Sequence, residues 1–532
     1  MALEAEGGRR LSGRLSFDRE AALRAEAALV ATLLAAITIA TRVPLRTRYL
    51  ANWDADQFAL GMAHFDVIHH QPHPPGYLGY ILLGRLLLPL FGDANAALIA
   101  LSVLGEALGV AALYLFARAL FGRFAGLAGG LALLLAPLYW YYGEIANTYG
   151  LEPLLVLTFA WPAWRLWQGE ERAAYPAALV LGLVGAIRPS TTVLLVPLFL
   201  LALRRTVSRR VGLTALALLA AAIGLWAVPL LVLSGGPVAF LTASLQLGDS
   251  VTAGTSVWNS PLNPFKVGLP AVLDGALWEL GLFSVVLLFA FVIAPRLGRV
   301  VDPLPEGFGL FVAAWALPAL GVFALVHIGQ LAYVQVFTPA LFLVVGPALK
   351  RTASALARPS AAVALLAVCL AGQPLIFFLP PRASLAGQLR QQDAHVAGMA
   401  ADVSGFDPAR TVLITDADAV GSYRTAQVYL PDYQRVALQR DRSGHLGEIY
   451  AVSYEPWRFT RETPPAWPAG ADTFIVTDPD LLRYIPDRYR LRAMRLPDGT
   501  QLWVYRGNPP VLAGNQLWLD RRDYVRTAGA RE

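Results

Sequence analysis

Long apolar segments follow one another along most of the chain, and short polar stretches separate them. An α-helix needs about 20 apolar residues to cross about 30 Å of hydrocarbon. The segments of about this length lie at residues 26–43, 95–117, 125–142, 149–167, 211–233, 268–294, 307–326, 331–349 and 360–379. The pattern predicts a polytopic α-helical membrane protein in which each of these segments is one span.

Two apolar stretches depart from this pattern. Residues 76–91 are short and contain Arg85 and Pro89. If they crossed the membrane, the basic loop from Arg118 to Arg123, which follows the span at 95–117, would lie outside. The positive-inside rule places basic loops in the cytoplasm, so it favours a helix on the outer face for residues 76–91. Residues 174–203 are interrupted at Arg188 and predict two short helices that meet at the outer side. The resulting topology has about 11 spans, a cytoplasmic N-terminus and a C-terminus outside.

The composition changes after residue 379. Charged residues become more frequent, and short β-type segments appear at 411–415, 473–477 and 501–506. Helical segments lie between them, which predicts a small α/β domain. The expected organisation is a cytoplasmic N-terminal segment (1–25), a transmembrane domain (26–379) with a first outer loop at 44–94, and an extracytoplasmic α/β domain (380–532).

The overall composition supports a location in the cell membrane. The 532 residues are 56% hydrophobic and 15% charged, whereas soluble proteins carry about 25% charged residues. The formal net charge of +6 does not predict nucleic-acid binding, because basic residues in short loops set the topology of membrane proteins. A single cysteine excludes an intramolecular disulfide. The sequence contains no P-loop, zinc-cysteine pattern or dinucleotide-binding fingerprint.

The most polar part of the first outer loop is residues 54–76. It holds four of the seven histidines and several acidic residues, directly after the first apolar segment. Such groups at a membrane surface suit acid/base chemistry on a substrate carried by lipid. Histidine and carboxylate also suit a divalent metal such as zinc, although the spacing matches no strong zinc signature. The histidines are His64, His69, His70 and His73.

Several short motifs resemble the protein O-mannosyltransferase-like members of the GT-C glycosyltransferases. The motifs are Asp54 followed by Phe58 and Ala59, HPPGYLGYILLGRL from His73, GEIANTY at 143–149, GAIRPS at 185–190 and HIGQLAYVQVFTPALFL at 327–343. The resemblance extends over roughly residues 26–380. It implies a fold of many membrane helices with a cavity on the outer face, in agreement with the topology expected from the charges.

The resemblance also implies an activity. Such enzymes transfer a hexosyl or pentosyl group, with inversion, from a polyprenyl-phosphate donor to an acceptor outside the cytoplasm. By position, Asp54 would be the general base that removes the proton of the acceptor hydroxyl. Many relatives have a second acid directly after this aspartate, whereas here Ala55 precedes Asp56, so Asp56 is the alternative base. Both acids could instead cap a helix in the loop.

The same resemblance provides candidates for substrate binding. Glu144 matches an acidic position of the second outer loop, where it would orient the acceptor, bind a metal or pair with Arg188. An arginine within a membrane segment normally has an anionic partner. Arg188 could reach toward the membrane surface, pair with a buried acid, or bind a donor phosphate. The remaining candidates for binding phosphate or sugar are His73, His327, Gln330 and Tyr333.

Other functions use the same features. A transporter or flippase of a lipid-linked saccharide would use the cavity without bond chemistry, but it is expected to show paired halves, and no internal repeat is visible. A structural subunit with a degenerate site is a third interpretation. The predicted partners are the lipid bilayer, a polyprenyl-phosphate sugar, and an acceptor protein, glycolipid or polysaccharide. A divalent metal is the only cofactor hypothesis.

Overall fold

The computed structural model is helical up to residue 403 and mixed α/β beyond it. It describes residues 2–206, 208–296, 303–416, 423–440, 449–453, 460–462, 467–497, 499–513 and 516–529. The helices of the first half are α1 (Ala2–Arg42), α2 (Trp53–Ala63), α3 (Leu78–Phe91), α4 (Ala94–Phe121), α5 (Arg123–Leu134), α6 (Pro137–Gly143), α7 (Glu152–Trp167), α8 (Ala174–Ile187), α9 (Pro189–Thr206), α10 (Arg209–Leu233) and α11 (Pro237–Thr252).

Shorter elements dominate the next part of the chain. The helices are α12 (Leu269–Leu280), α13 (Phe283–Leu288), α14 (Ala294–Arg296), α15 (Phe308–Leu325), α16 (Thr338–Leu343), α17 (Val345–Ala355), α18 (Ala361–Phe378) and α19 (Leu385–Val403). Short segments of 3₁₀-helix occur at Thr148–Leu151, Glu171–Ala173 and Leu331–Val336, and π-helical turns occur at Pro264–Gly268 and Phe289–Ile293.

Both ambiguous stretches of the sequence have the predicted local form. The helix α3 has 14 residues, which is about 21 Å and shorter than the hydrocarbon core. The chain breaks at Arg188, between the end of α8 and the start of α9. Pro189 begins α9, where its missing N–H is harmless and its fixed φ suits a first helical position.

Three predicted spans are not continuous helices. Segment 125–142 is divided into α5 and α6, which are bent by 59°, and Pro137 starts the second piece. Segment 268–294 is bent by 105° after α12, where Gly281 has φ +53°. Segment 331–349 consists of a 3₁₀ turn, α16 and part of α17. Hydropathy measures length and apolarity, so it does not detect breaks made by proline and glycine.

These breaks affect how many helices are long enough to cross a membrane. Within the described residues, five helices are long and apolar enough to cross a membrane, and the number rises to seven if each of two bent pairs is one span. The five are Ala21–Arg42, Ala94–Phe121, Arg209–Leu233, Phe308–Leu325 and Ala361–Phe378. These helices alone do not test the expected number of about 11 spans or the sides of the membrane on which the two termini lie. Both stay predictions.

The C-terminal part is built on a mixed sheet. Its strands are β1 (Thr411–Asp416), β2 (Gln434–Arg440), β3 (Ile449–Ser453), β4 (Thr460–Glu462), β5 (Thr473–Val476), β6 (Arg492–Arg495) and β7 (Gln501–Arg506), with β8 (Val511–Ala513) and β9 (Gln516–Trp518) as a separate pair. The order in the sheet is β4-β3-β2-β1-β5-β7-β6. The central β1 runs parallel to β2 and β5, and the remaining pairs are antiparallel. The helices α20 (Tyr423–Tyr429) and α21 (Arg521–Gly529) complete this part.

The C-terminal part rests on the segment at residues 44–94. The Asp393 carboxylate of α19 accepts hydrogen bonds from the backbone N–H groups of Arg48 at 2.9 Å and Tyr49 at 3.1 Å. The rings of Tyr49 and Tyr429 meet edge to face, with centroids 5.2 Å apart. These contacts fix α19 and α20 beside the loop that contains the candidate acids.

Candidate active site

A cavity of about 820 Å³ lies between the segment at residues 44–94, α7, α9, α11 and the segment that follows α15. Its lining includes the ionisable and polar residues Asp54, His70, His73, Glu152, Arg188, Thr191, His327, Gln330 and Tyr333. Its apolar lining includes Val193, Leu194, Leu247, Val251, Val322 and Phe323. The cavity therefore contains six of the eight predicted site residues, and Asp56 and Glu144 do not line it.

The helix α2 places the two candidate bases on different faces. It begins at Asn52, whose side-chain oxygen accepts a hydrogen bond from the Ala55 N–H at 2.9 Å and caps the helix. Asp54 and Asp56 are two positions apart, which separates their side chains by about 200° around the helix axis. Asp54 faces the cavity with 21% of its side chain exposed, whereas Asp56 is buried.

The Asp54 carboxylate is held by an amide and faces an imidazole. Gln330 Nε2 donates a hydrogen bond to Asp54 Oδ2 at 2.9 Å. The Tyr142 hydroxyl donates to Gln330 Oε1 at 3.0 Å, which turns the amide nitrogen toward Asp54. His73 Nε2 lies 3.9 Å from Asp54 Oδ1. Within the part of the chain that the structure describes, the carboxylate thus has one direct hydrogen-bond donor, and it remains accessible from the cavity.

The orientation of His73 follows from its contacts with Gln57. The Gln57 side-chain oxygen accepts the His73 backbone N–H at 3.1 Å and lies 2.7 Å from Nδ1 of the same residue. An amide oxygen only accepts, so Nδ1 is the protonated ring nitrogen. Burial lowers the pKa of His73, the Asp54 carboxylate acts against this, and the Arg188 guanidinium adds to the lowering. Near neutral pH the ring is therefore uncharged and presents the Nε2 lone pair to the side of Asp54.

Arg188 is held by an ion pair and by two aromatic rings. Its Nε lies 3.1 Å from Glu152 Oε2, and Nη1 donates to Thr148 Oγ1 at 2.8 Å. The guanidinium carbon lies 4.1 Å from the ring centre of Tyr149 and 5.5 Å from that of Tyr333, within the range of cation–π attraction. Arg188 therefore has a fixed position in the cavity wall.

The segment after α15 brings two further candidates together. A Cβ atom on Gly329 would lie 2.9 Å from His327 Nε2 and 3.0 Å from the Tyr333 hydroxyl. Both polar atoms thus lie against the same glycine. His327 Nδ1 is 3.3 Å from Thr255 Oγ1, and burial lowers the pKa of His327. Two groups that can bond phosphate or sugar oxygens consequently converge on this side of the cavity.

Glu144 has structural contacts away from the cavity. Its Oε1 accepts a hydrogen bond from Trp140 Nε1 at 2.6 Å, and its backbone oxygen accepts from the Thr47 N–H at 2.9 Å. The anionic partner of Arg188 is Glu152, so the suggested pairing of Glu144 with Arg188 is not present. Glu144 thus packs behind the site, and its part in substrate binding remains a prediction.

Asp56 is enclosed between α2 and α20. The Thr425 hydroxyl donates a hydrogen bond to Asp56 Oδ2 at 2.7 Å. Burial raises the pKa of Asp56 to about 8, although the Thr425 hydrogen bond and the nearby Arg424 charge act against this rise. A carboxyl group that holds its proton at neutral pH and does not line the cavity is poorly suited to act as a general base for a substrate there.

Asp56→Asn is expected to stabilise the protein more strongly as the pH rises. The folded state keeps the Asp56 proton up to about pH 8, while the unfolded chain loses it near pH 4. Stability of the wild type therefore falls between about pH 4 and pH 8, and the neutral amide removes this loss. Thermal unfolding in detergent at several pH values measures the effect. Equal Tm differences at about pH 5 and pH 8 would contradict it.

Two histidines of the histidine-rich segment, His69 and His73, have separate partners. His69 Nδ1 bonds to the Asp66 carboxylate, and His73 Nδ1 bonds to Gln57. His70 lines the cavity, and burial lowers its pKa to about 3. Over the described ranges, no group of three or more His, Cys, Asp or Glu side chains has an arrangement that could hold a metal ion.

Several residues of the site are not among the sequence candidates, and Glu152, Gln57 and Thr148 are three of them. Glu152 lies in the apolar segment 149–167, which the sequence predicts only as a membrane span. A carboxyl group in such a segment needs a cationic partner, and Arg188 needs an anionic one. The opposite charges of Glu152 and Arg188 within apolar segments are therefore the feature of the sequence that could have predicted their ion pair. Gln57 and Thr148 carry no charge. Thr148 lies within the GEIANTY motif, but nothing in the sequence distinguishes its side chain from the other polar residues there.

Comparison with known proteins supports the resemblance stated from the motifs. Residues 72–232 match the family model of dolichyl-phosphate-mannose-protein mannosyltransferases. Comparison with curated protein sequences gives no significant match. Among solved structures, the fold is similar to that of ArnT from Cupriavidus metallidurans. The structure bound to undecaprenyl phosphate has a TM-score of 0.54 at 14% identity and covers 91% of this chain and 97% of that chain.

Two more solved structures are similar. ArnT from Cupriavidus metallidurans in the apo state has a TM-score of 0.52 at 14% identity, over 90% of this chain and 98% of that chain. The oligosaccharyltransferase of Archaeoglobus fulgidus tethered with an acceptor peptide has a TM-score of 0.47 at 13% identity, over 89% and 74% of the two chains. The predicted resemblance to GT-C glycosyltransferases is confirmed by the family match and by the shared fold.

Proposed function

We propose that this chain, which shares the fold of GT-C glycosyltransferases, moves a hexose or pentose from a polyprenyl-phosphate donor to an acceptor hydroxyl with inversion. The observation that carries the proposal is the Asp54 carboxylate, which is accessible from the cavity and oriented by Gln330 at 2.9 Å. In this proposal the cavity opens on the outer face of the membrane, and residues 380–532 lie outside. The acceptor is a protein, a glycolipid or a polysaccharide.

The transfer is a single displacement. The acceptor hydroxyl oxygen attacks the anomeric carbon, its proton passes to Asp54, and the bond from the anomeric carbon to the phosphate oxygen breaks. The electron pair of that bond stays on the departing polyprenyl phosphate. A carboxylate with a fixed orientation suits the base, because it can hold the hydroxyl in line with the leaving group while it takes the proton.

Arg188 is the group that we assign to the donor phosphate. Glu152 and Thr148 use Nε and Nη1, so Nη2 is the nitrogen assigned to a phosphate oxygen. Guanidinium groups bind phosphate with directional, charge-assisted hydrogen bonds, which strengthen as negative charge develops on the leaving group.

His327 and Tyr333 would complete the phosphate and sugar contacts beside Gly329. The apolar wall around Val193 and Phe323 would receive the start of the prenyl chain.

His73 has a different assignment from the phosphate contact expected from its sequence position. A neutral ring with Nδ1 bonded to Gln57 presents an acceptor at Nε2. Such an acceptor suits a hydroxyl group of the sugar or the acceptor substrate better than a phosphate oxygen, which also only accepts. We therefore assign His73 to substrate hydroxyl binding beside Asp54.

A turnover assay tests the proposal. Purified protein is incubated with undecaprenyl phosphate that carries radiolabelled mannose, glucose, galactose or arabinose, together with a cell-envelope extract as acceptor. At least one donor is expected to release undecaprenyl phosphate and to label the extract in equal amounts. Release without labelling would indicate hydrolysis. If no donor of the panel is cleaved by protein that binds undecaprenyl phosphate, a role without bond chemistry, such as flipping, is favoured.

A further inference from the structure

The helix α20 contacts the first outer loop from the side opposite to the cavity. The Thr425 hydroxyl donates to Asp56 Oδ2 at 2.7 Å, and both residues are at most 2% exposed. Asp56 belongs to α2, which carries Asp54 on its cavity face. One rigid helix therefore connects the contact with α20 to the proposed base, since helix residues move together.

A second contact ties α20 to the histidine-rich segment. Arg424 Nη2 donates to the backbone oxygen of His69 at 2.7 Å, and Arg424 is 1% exposed. Its guanidinium also lies 5.9 Å from the ring of Trp53, the residue directly before Asp54. His69 itself is bonded to Asp66 through both its backbone N–H and its ring. This contact thus fixes the loop between α2 and the HPPG turn that contains His73.

A third contact reaches the start of the loop. The Tyr429 hydroxyl accepts a hydrogen bond from the Leu50 N–H at 2.8 Å. Three residues of one short helix (Arg424, Thr425 and Tyr429) therefore hold the loop at three points, before, within and after α2 (Leu50, Asp56 and His69).

We propose that α20 is a positioning element of the active site and that Thr425, acting through Asp56 and α2, sets the orientation of Asp54 in the cavity. The inference rests on the proposed function and assigns a role to the C-terminal part of the chain. Among the described residues, Asp54 has one direct hydrogen bond, from Gln330, and a 3.9 Å approach from His73. A displacement of α2 would therefore change the geometry of the base directly, and a misplacement of about 1 Å can cost about 10²-fold in rate.

The mutation Thr425→Val tests this assignment, because valine keeps the shape of the side chain and removes the hydroxyl donor. We expect kcat to fall about 10- to 100-fold, while KM for the most active undecaprenyl-phosphate sugar of the panel changes less than about twofold, since the donor contacts of Arg188 are untouched. Thr425→Ser restores the hydroxyl and is expected to recover most of kcat. Equal kcat for Thr425→Val and wild type would overturn the proposal.

Two further variants separate positioning from general packing. Thr415 of β1 is buried in the sheet of the C-terminal part, and within the described ranges its hydroxyl has no hydrogen-bond partner. Thr415→Val is expected to leave kcat unchanged, and a loss equal to that of Thr425→Val would overturn the positioning role. Tyr429→Phe removes the acceptor for Leu50 and is expected to lower kcat with little change in KM. It is the second test if Thr425→Val does not fold.

The outcomes distinguish this inference from the proposed function. If the wild type cleaves none of the donors, the proposed function fails. If the wild type cleaves a donor and Thr425→Val and Tyr429→Phe do so at the same rate, only the role of α20 fails. A loss of kcat that Thr425→Ser reverses supports both.

Discussion

Replacement of Asp54 by asparagine is expected to lower kcat by about 10²- to 10⁴-fold, the usual contribution of a positioned general base. The amide has nearly the same shape, and its oxygen can still accept the hydrogen bond from Gln330, so the variant is expected to fold. The amide is not basic, however, and cannot take the proton of the acceptor hydroxyl. Release of undecaprenyl phosphate from the labelled donor in the presence of acceptor measures the loss.

Asp56→Asn is the matched control for this experiment. It makes the same chemical change two residues further along α2, on the face that packs against Thr425 rather than on the cavity face. The amide oxygen can accept the same hydrogen bond, so kcat is expected to stay close to that of the wild type. An inactive Asp56→Asn together with a fully active Asp54→Asn would exchange the roles of the two residues.

Arg188→Gln is expected to lose both activity and stability. Loss of the guanidinium removes the proposed phosphate ligand and leaves Glu152, which is 2% exposed, without its cationic partner. Removal of one partner of a buried ion pair typically costs about 3–5 kcal/mol, because the remaining charge stays desolvated. The thermal unfolding temperature in detergent and the retention of undecaprenyl phosphate by the purified protein measure the two losses separately.

The double variant Arg188→Gln, Glu152→Gln separates the structural role from the binding role. Without the carboxylate, no unpaired charge is buried, so most of the lost stability is expected to return. Donor cleavage is expected to stay low, because no cation replaces Arg188. Recovery of full activity together with stability would show that Arg188 only compensates Glu152 and does not bind the donor.

Local breaks in the fold could be predicted where the sequence combined charge and proline. The interruption at Arg188 and the short α3 were both found in this way. The bends at Pro137 and Gly281 were missed, because the surrounding residues are apolar enough for one continuous span. A single proline or glycine within a membrane helix is often tolerated by neighbouring helices, so its effect depends on tertiary contacts that hydropathy does not contain.

The site was predicted in part for a similar reason. Motifs identified Asp54, Arg188 and Gln330, which the structure brings to one cavity. The choice between Asp54 and Asp56 needed the faces of α2 and the position of α20, a contact between residues 369 positions apart. Glu144 matched a family position, but its direction toward Trp140 depends on the packing of α6. Side-chain direction and long-range contacts are properties of the folded chain.

The stereochemistry of the product tests the central claim most directly. Nuclear magnetic resonance of the glycosylated product, compared with the donor, gives the configuration of the anomeric carbon before and after transfer. A single displacement with Asp54 as base predicts that the configuration is inverted. Retention would contradict the account, because it requires two displacements and an enzyme nucleophile on the sugar in place of a base on the acceptor hydroxyl.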